Sequence, residues 1–389
     1  MTLHSTAEFL KKAGIVSSIG LGVIIIGVIF FRIGIVVKNI LFPPSIAPAN
    51  QAYGKIPYLE FPQSTIDTDF TYTVDTLTGT LPELPDRLVI YPLVNNPPNL
   101  LNLEAVKQKV VALGLVDKTG NILPEVPLGG PSYVWTELTG IERKVVFDIV
   151  SLNFTLTSEY LGSNTVLRAT RLGNEDLAIQ TVQEFLTAIQ SLPEDITIER
   201  TKAPDPEIKY ATTPQLFSIG NNELIPTTSL SSTQVIRVDL YQKDIEYKLT
   251  AGKDEDLEAF EDFEMKMPIL YPRPPYSTMN FLVASGVSAP EVVSAIYNHQ
   301  SINLESKPEA EETPTYPIKT AQQAFEELQS GNGYVAAYSG ADSQILVNKV
   351  YLAYYIGETV QEYLMPVIVF EGPNGFFAYV SAVEDQALE

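Results

Sequence analysis

The chain has 389 residues, 47 of them acidic against 25 basic, for a formal net charge of −22, with no cysteine and two histidines. The absence of cysteine removes disulfides, thiol nucleophiles and thiolate metal sites, so a metal would need oxygen ligands or histidine. An acidic excess of this size argues against nucleic acid as a partner, because affinity for phosphates comes from clustered Lys and Arg.

Residues 1–13 form a short tail carrying Lys11 and Lys12. Gly14 to Val37 then runs for 24 residues with Arg32 as its single charge. As a helix it would be about 36 Å long, enough to cross a hydrocarbon core of about 30 Å. The run exceeds the roughly 7–15 apolar residues of a cleaved signal, and Ala47-Pro48-Ala49 lies beyond Pro43 and Pro44, so an uncleaved anchor is expected. A short basic N-terminus ahead of one early span stays in the cytoplasm, which predicts a single-pass protein of the cytoplasmic membrane with its C-terminal part extracytoplasmic. Ser18 and Gly22 have the spacing that lets two membrane helices approach, though glycine is common in such helices anyway. Residues 38–65, with Pro43, Pro44, Pro48, Pro57 and Pro62, read as a semi-extended stalk.

A first module is expected over 66–160. It has β-like runs at Asp67–Thr80 and Leu88–Leu93. A helix capped by Asn102 follows, carrying Val106, Val110 and Leu113 and ending at Gly114, and then strands at Tyr133–Glu137, Arg143–Ile149 and Asn153–Thr157. The second, over 161–305, opens with the clearest helix, Asn174 to Leu192, with Ala178, Val182, Phe185, Leu186 and Ile189 on one face. Strands at Lys209–Ile219 and Gln234–Gln242 follow, with Asp244–Leu249 turning back on the latter as a hairpin. An acidic stretch from Gly252 to Met267 precedes strands at Pro268–Tyr271 and Thr278–Ala284.

Residues 306–319 form a charged, proline-bearing linker. The third module, 320–389, starts with a capping box at Thr320 and Gln323 and buries Ala324, Phe325 and Leu328 before Gly331. Strands are then expected at Tyr334–Tyr338, Ile345–Tyr355, Tyr363–Phe370 and Phe376–Val383, with Pro366 marking an edge or a bulge. The fold class is therefore α+β: an N-terminal transmembrane helix, a Pro-rich stalk, then tandem modules of one helix packed on an antiparallel β-meander.

The Tyr53-Gly54-Lys55-Ile56-Pro57 run after the apolar segment and the Tyr316-Pro317-Ile318-Lys319 lead-in to Ala324-Phe325 carry a family resemblance. So do the Val350-Tyr351-Leu352-Ala353-Tyr354-Tyr355 strand and the Leu364-Met365-Pro366-Val367 to Ala378-Tyr379-Val380 ending. Together they resemble single-span bacterial exported proteins with PepSY and YycH/YycI-type extracytoplasmic modules, best over the last 75 or so residues. The resemblance implies a binding or regulatory module at the outer face of the membrane and brings no catalytic residues with it.

Direct signs of chemistry are few. His4 lies on the tail, and His299, in Tyr297-Asn298-His299-Gln300, has no carboxylate or serine at a triad-like spacing. It reads as a surface or hydrogen-bonded structural histidine. No nucleophile elbow or Ser-x-x-Lys motif occurs. Gly331-Asn332-Gly333 follows a helix and enters a strand, which is a C-cap and not a phosphate loop. The run Asp254, Glu255, Asp256, Glu258, Glu261, Asp262 and Glu264 lacks the order of a calcium loop and reads as a solvated face. Trp135 reads as core rather than a sugar platform, and the Asn153-Phe154-Thr155 sequon as incidental.

No catalytic, cofactor or metal residue is therefore assigned. The expectation is a non-enzymatic extracytoplasmic binding or regulatory protein that contacts a protein partner, with a free sheet edge near Pro366 as one means of recruiting it. A self-associating structural subunit of the envelope is the alternative. An exported carboxylate-dependent hydrolase is a third reading.

Overall fold

The computed structural model describes residues 49–66, 69–95, 100–116, 120–137, 142–197, 214–249, 263–305 and 313–389. Gly14–Val37, with Ser18, Gly22 and the tail, lies outside the described residues, as does most of the acidic run. Among the described residues no helix is long and apolar enough to cross a membrane.

The first third contributes β1 (Thr71–Val74), β2 (Arg87–Val89), β3 (Tyr91–Pro92), α1 (Leu100–Ala112), β4 (Val126–Gly129), β5 (Ser132–Glu137), β6 (Arg143–Asp148) and β7 (Phe154–Ser158). The middle contributes α2 (Asn164–Arg168), α3 (Glu175–Ala188), β8 (Ile196–Thr197), β9 (Gln215–Gly220), β10 (Glu223–Thr227), β11 (Val235–Gln242), β12 (Ile245–Leu249) and β13 (Phe263–Met267). After these come β14 (Ile269–Leu270), β15 (Met279–Ser285) and β16 (Pro290–Tyr297). The last part holds β17 (Thr315–Pro317), α4 (Ala321–Gln329), β18 (Tyr334–Ala337), β19 (Gln344–Val347), β20 (Lys349–Tyr355), β21 (Tyr363–Gly372) and β22 (Phe376–Ser381).

Ten strands form one sheet in the order β10-β9-β11-β15-β16-β7-β6-β5-β4, with β8 added beside β11. Strict alternation fixes which face is buried: Phe154 and Leu156 of β7 and Val145 and Phe147 of β6 point inward, while Thr155 and Thr157 face out. Helix α3 crosses β11, β15 and β16 and buries Ala178, Ile179, Val182 and Leu186 against them. Ile179, Val182 and Leu186 each contribute about 1.5–3 kcal/mol when fully buried. Asn174 caps the helix by accepting from Leu177 N, and Glu175 and Asp176 sit in its first turn, where the dipole favours carboxylates.

The second sheet runs β14-β20-β21-β22-β18, with β3 added beside β21. Helix α4 packs on β22. It carries the expected capping box at Thr320 and Gln323 and ends with Gly331 N on Leu328 O and Asn332 N on Glu327 O, the paired bonds of a Schellman ending, with Gly331 at φ +83°. One apolar cluster holds Phe147 and Phe281 from the first sheet together with Ile368 and Phe370 from the second.

The tandem helix-plus-meander plan is therefore wrong, and the chain is mostly β. Strands from the expected first module are dispersed: β1 pairs with β19 and β2 with β17 in separate two-stranded sheets, β3 joins β21 in the second sheet, and β4 to β7 join the ten-stranded sheet. The expected boundary at 160/161 cuts through that sheet, because β16 hydrogen-bonds to both β7 and β15. Helix α1 begins at Leu100, so Asn102 is inside it and donates to Ile149 O instead of capping. β12 pairs with β13 rather than turning back on β11.

The expected stalk is, from Ala49 onward, a strap bound to the folded unit. Ile56 is fully buried and bridges Leu388. The Tyr316 hydroxyl donates to Gly54 O and accepts from Tyr53 N. Phe61 stacks on Tyr334 at 5.2 Å and meets Tyr355 edge-on at 5.1 Å. Tyr53, Ile56, Leu59 and Phe61 recur every two or three residues, so an extended chain can bury them in succession, with Pro57, which has no N–H, between Ile56 and Leu59 and Pro62 just after Phe61.

Pro366 marks neither an edge nor a bulge, since β21 lies between β20 and β22 in continuous register. Its carbonyl accepts from Ala382 N at 3.0 Å, so its nitrogen faces the same side. There the β22 ladder, from Val367 onward, gives way to β3 at Leu364. The missing N–H thus falls in a gap and removes no ladder bond.

The edges of the large sheet carry their own prolines, Pro127 in β4 and Pro226 in β10, which block continuous addition of a further strand. The β18 edge meets the strap, where Ser64 Oγ donates to Val335 O at 3.0 Å.

Candidate functional site

Where β6 begins and β7 ends, the large sheet meets the C-terminal turns of α1 and α3 around a cleft of about 480 Å³. Sites for small ligands commonly measure about 300–1,000 Å³ and combine apolar walls with a few polar groups. Here Leu115, Leu156, Ile189 and Val292 are buried apolar lining residues, with Phe185 beside them. Glu137, Arg143, Ser158, Thr181, Glu184 and Glu291 supply the polar groups.

Two local devices shape this cleft. Lys109 of α1 donates from Nζ to Ile189 O at 2.7 Å, Gln190 O at 2.8 Å and Ser191 Oγ at 2.9 Å, which places a cation on the α3 C-terminus and holds the two helix ends together. Burial pushes the Lys109 ammonium below the ordinary lysine value. On the sheet side, β16 carries a bulge in which Val293 stands between paired Val292 and Ser294, and its carbonyl accepts from Ser158 Oγ at 2.6 Å.

The charges are unequal. Arg143 donates from Nε to Glu137 Oε2 at 2.7 Å, places a second nitrogen 2.6 Å from the same oxygen, and donates from Nη1 to Leu113 O. Glu184 accepts from the neutral Gln180 amide at 2.8 Å and Glu291 is exposed; among the described residues no cation pairs with either. The lining therefore has one neutralised pair and two further carboxylates.

His299 belongs elsewhere, to a polar joint built from β11, β16 and the 357–361 turn. Its Nε2 lies 3.0 and 3.1 Å from the two oxygens of Asp195, a carboxylate 104 residues away in sequence. Gln242 Nε2 donates to Asp195 and to Gln300 O, while Gln300 donates to Thr359 O and accepts from Gln361 N. Asn153 accepts from His299 N and donates to Asn298. Burial alone would raise the Asp195 carboxyl; the hydrogen bond and charge of His299, with Gln242, outweigh it and leave it below the ordinary value. Burial raises the hydroxyls of Tyr271 and Tyr297 above the usual tyrosine range.

A second concavity of about 510 Å³ surrounds Lys319, which pairs with Glu327 at 2.9 Å and Asp385 at 3.0 Å. Its other lining residues, Gln323, Glu326, Ser330, Glu384 and Gln386, are all polar. It is an ion-paired surface groove with no apolar floor. Among the described residues no group of three or more His, Asp or Glu is placed to hold a metal.

Trp135 is fully buried against Phe147 at 6.2 Å, and Gly331 to Gly333 is the α4 ending, so neither belongs to the cleft. His4 and the acidic run from Asp254 to Asp262 lie outside the described residues. Sequence reasoning did not single out the cleft residues, because Arg143 of β6, Thr181 and Glu184 of α3 and Glu291 of β16 come from three separate segments with no motif among them. The one available signal was the acidic position 291 ahead of the apolar run in 292–297.

No family model matches the chain, and no curated protein matches it. Among solved structures, the chain is similar to an uncharacterized protein from Eubacterium rectale ATCC 33656 at 10% identity and a TM-score of 0.32, over 76% of this chain and 84% of that one. A likeness this loose carries no argument about fold or function.

Proposed function

We propose that this chain is a non-enzymatic binding protein of the bacterial envelope, held in the cytoplasmic membrane by residues 14–37 and engaging a protein partner outside it through the cleft between α3 and the large sheet. The carrying observation is the cleft itself, ligand-sized, floored by buried aliphatic side chains and rimmed by fixed polar groups. The His299–Asp195 pair supports a non-enzymatic role, since both residues take part in a joint of structural hydrogen bonds and neither lines the cleft.

Crosslinking and mass spectrometry on the full-length protein in its own membrane test this reading. A reproducible partner linked to residues beyond Pro62 is the expected result. Self-links alone would overturn it in favour of a self-associating envelope subunit.

A further inference from the structure

We infer that the cleft between α3 and β16 takes a basic, apolar peptide segment of the partner, with Glu184 and Glu291 receiving its Lys or Arg groups and Leu156, Phe185 and Val292 receiving its aliphatic side chains. This rests on the binding role proposed above and names the chemistry of the partner. Three observations carry it.

The first is the charge left over once the internal pairing is complete. Arg143 is committed to Glu137 and to Leu113 O, so the cleft presents no cation to an anionic ligand. Glu184 and Glu291 lack a cationic partner among the described residues and line the same cleft. Both carboxylates are exposed at the rim, where they attract an incoming ammonium or guanidinium group with a strength that falls as salt rises.

The second is the distribution of apolar surface. Leu156 and Val292 lie 3% and 8% exposed at the floor, and Val287 stands at the rim 81% exposed. A long cationic side chain has an apolar stem and a charged head, and a short peptide adds neighbouring aliphatic groups to the same stretch. The third is that the edges of the large sheet, which forms the floor of the cleft, do not offer the alternative mode of peptide capture. Pro127 and Pro226 interrupt the two edge strands of the large sheet, so recognition rests on side chains entering a cleft and not on strand addition.

The test uses the full chain in neutral-detergent micelles and a fluorescent acetyl-Leu-Lys-Val-Lys-Leu amide, followed by anisotropy. Its counterpart with Glu in place of both Lys, and hexylamine as a free amine competitor, are the comparison probes. The basic peptide is expected to bind saturably and to weaken as salt rises, and the acidic peptide to bind at least about tenfold more weakly, a difference of about 1.4 kcal/mol. Glu184→Lys with Glu291→Lys reverses both rim charges at exposed positions, and Ala188→Trp fills the cleft without changing charge. Each is expected to cost at least about tenfold in affinity with an unchanged thermal transition.

Equal binding of both peptides, or binding unchanged in both variants, would overturn the inference, as would displacement by hexylamine with no saturable peptide binding. A partner found by crosslinking at some other surface would overturn it while the binding role stands. Finding no partner at all removes the binding role itself.

Discussion

Arg143 sets two guanidinium nitrogens on a single oxygen of Glu137, at 2.7 and 2.6 Å, and so removes the cleft's positive charge from recognition. The pair is partly exposed, at 33% and 14% of the two side chains, so its direct worth is modest, about 1 kcal/mol. Glu137→Gln is expected to lower the unfolding free energy by that amount in urea titrations. It should also weaken the basic peptide, because the cleft gains one net positive charge. Unchanged peptide affinity would contradict the charge account.

Asp195 links pH to stability. Its carboxyl is held below the ordinary carboxylate value in the folded chain, so its contribution is present above the unfolded value of about 3.9 and is lost as pH falls through the lower folded value. Asp195→Asn is therefore expected to destabilise by about 1 kcal/mol at pH 6, discounted for a side chain 35% exposed, with the gap closing in acid. Urea midpoints at pH 6 and in acid check this; a gap that widens in acid would contradict it.

The strap makes a prediction that a free stalk would not. Ile56 is fully buried among Ile90, Tyr316, Met365 and Leu388, so Ile56→Ala is expected to cost about 2–4 kcal/mol. Denaturant unfolding of the variant beside the wild type decides it. A change near zero would mean that the strap is not part of the cooperative unit.

The edge prolines predict an association phenotype. Pro127→Val and Pro226→Val together restore backbone donors to both outer strands of the large sheet, and the double variant is expected to self-associate more strongly than the wild type. Sedimentation velocity over a range of concentrations measures this. Identical profiles would show that the prolines do not guard the edges.

Local structure was largely readable from the sequence. The α3 face from Ala178 to Ile189, the α4 capping box and most strand positions follow from periodicity and caps, which depend on neighbours in sequence. The assembly was not readable, and β16 explains why. Pro290–Tyr297 escaped notice as a strand, yet it bonds β7 to β15 and fuses two supposed modules into one sheet. β1, β2 and β3 likewise look like the start of a module, but their partners lie in β19, β17 and β21, more than 200 residues away. Pairing at that range leaves no local signal. Nor did the stretch Ala49–Pro62 reveal its docking, because proline-rich extended chain looks the same free or bound. The cleft shares this cause: its rim charges are distant in sequence and meet only through the sheet.

The most direct test of the central claim is zero-length carbodiimide crosslinking of the full-length protein in its native membrane, since it joins a carboxylate to a lysine only when the two are in contact. The account predicts isopeptide links from Glu184 or Glu291 to lysines of one discrete partner, lost in the Ala188→Trp variant. Links that arise only elsewhere on the surface, or only between copies of this chain, would contradict it.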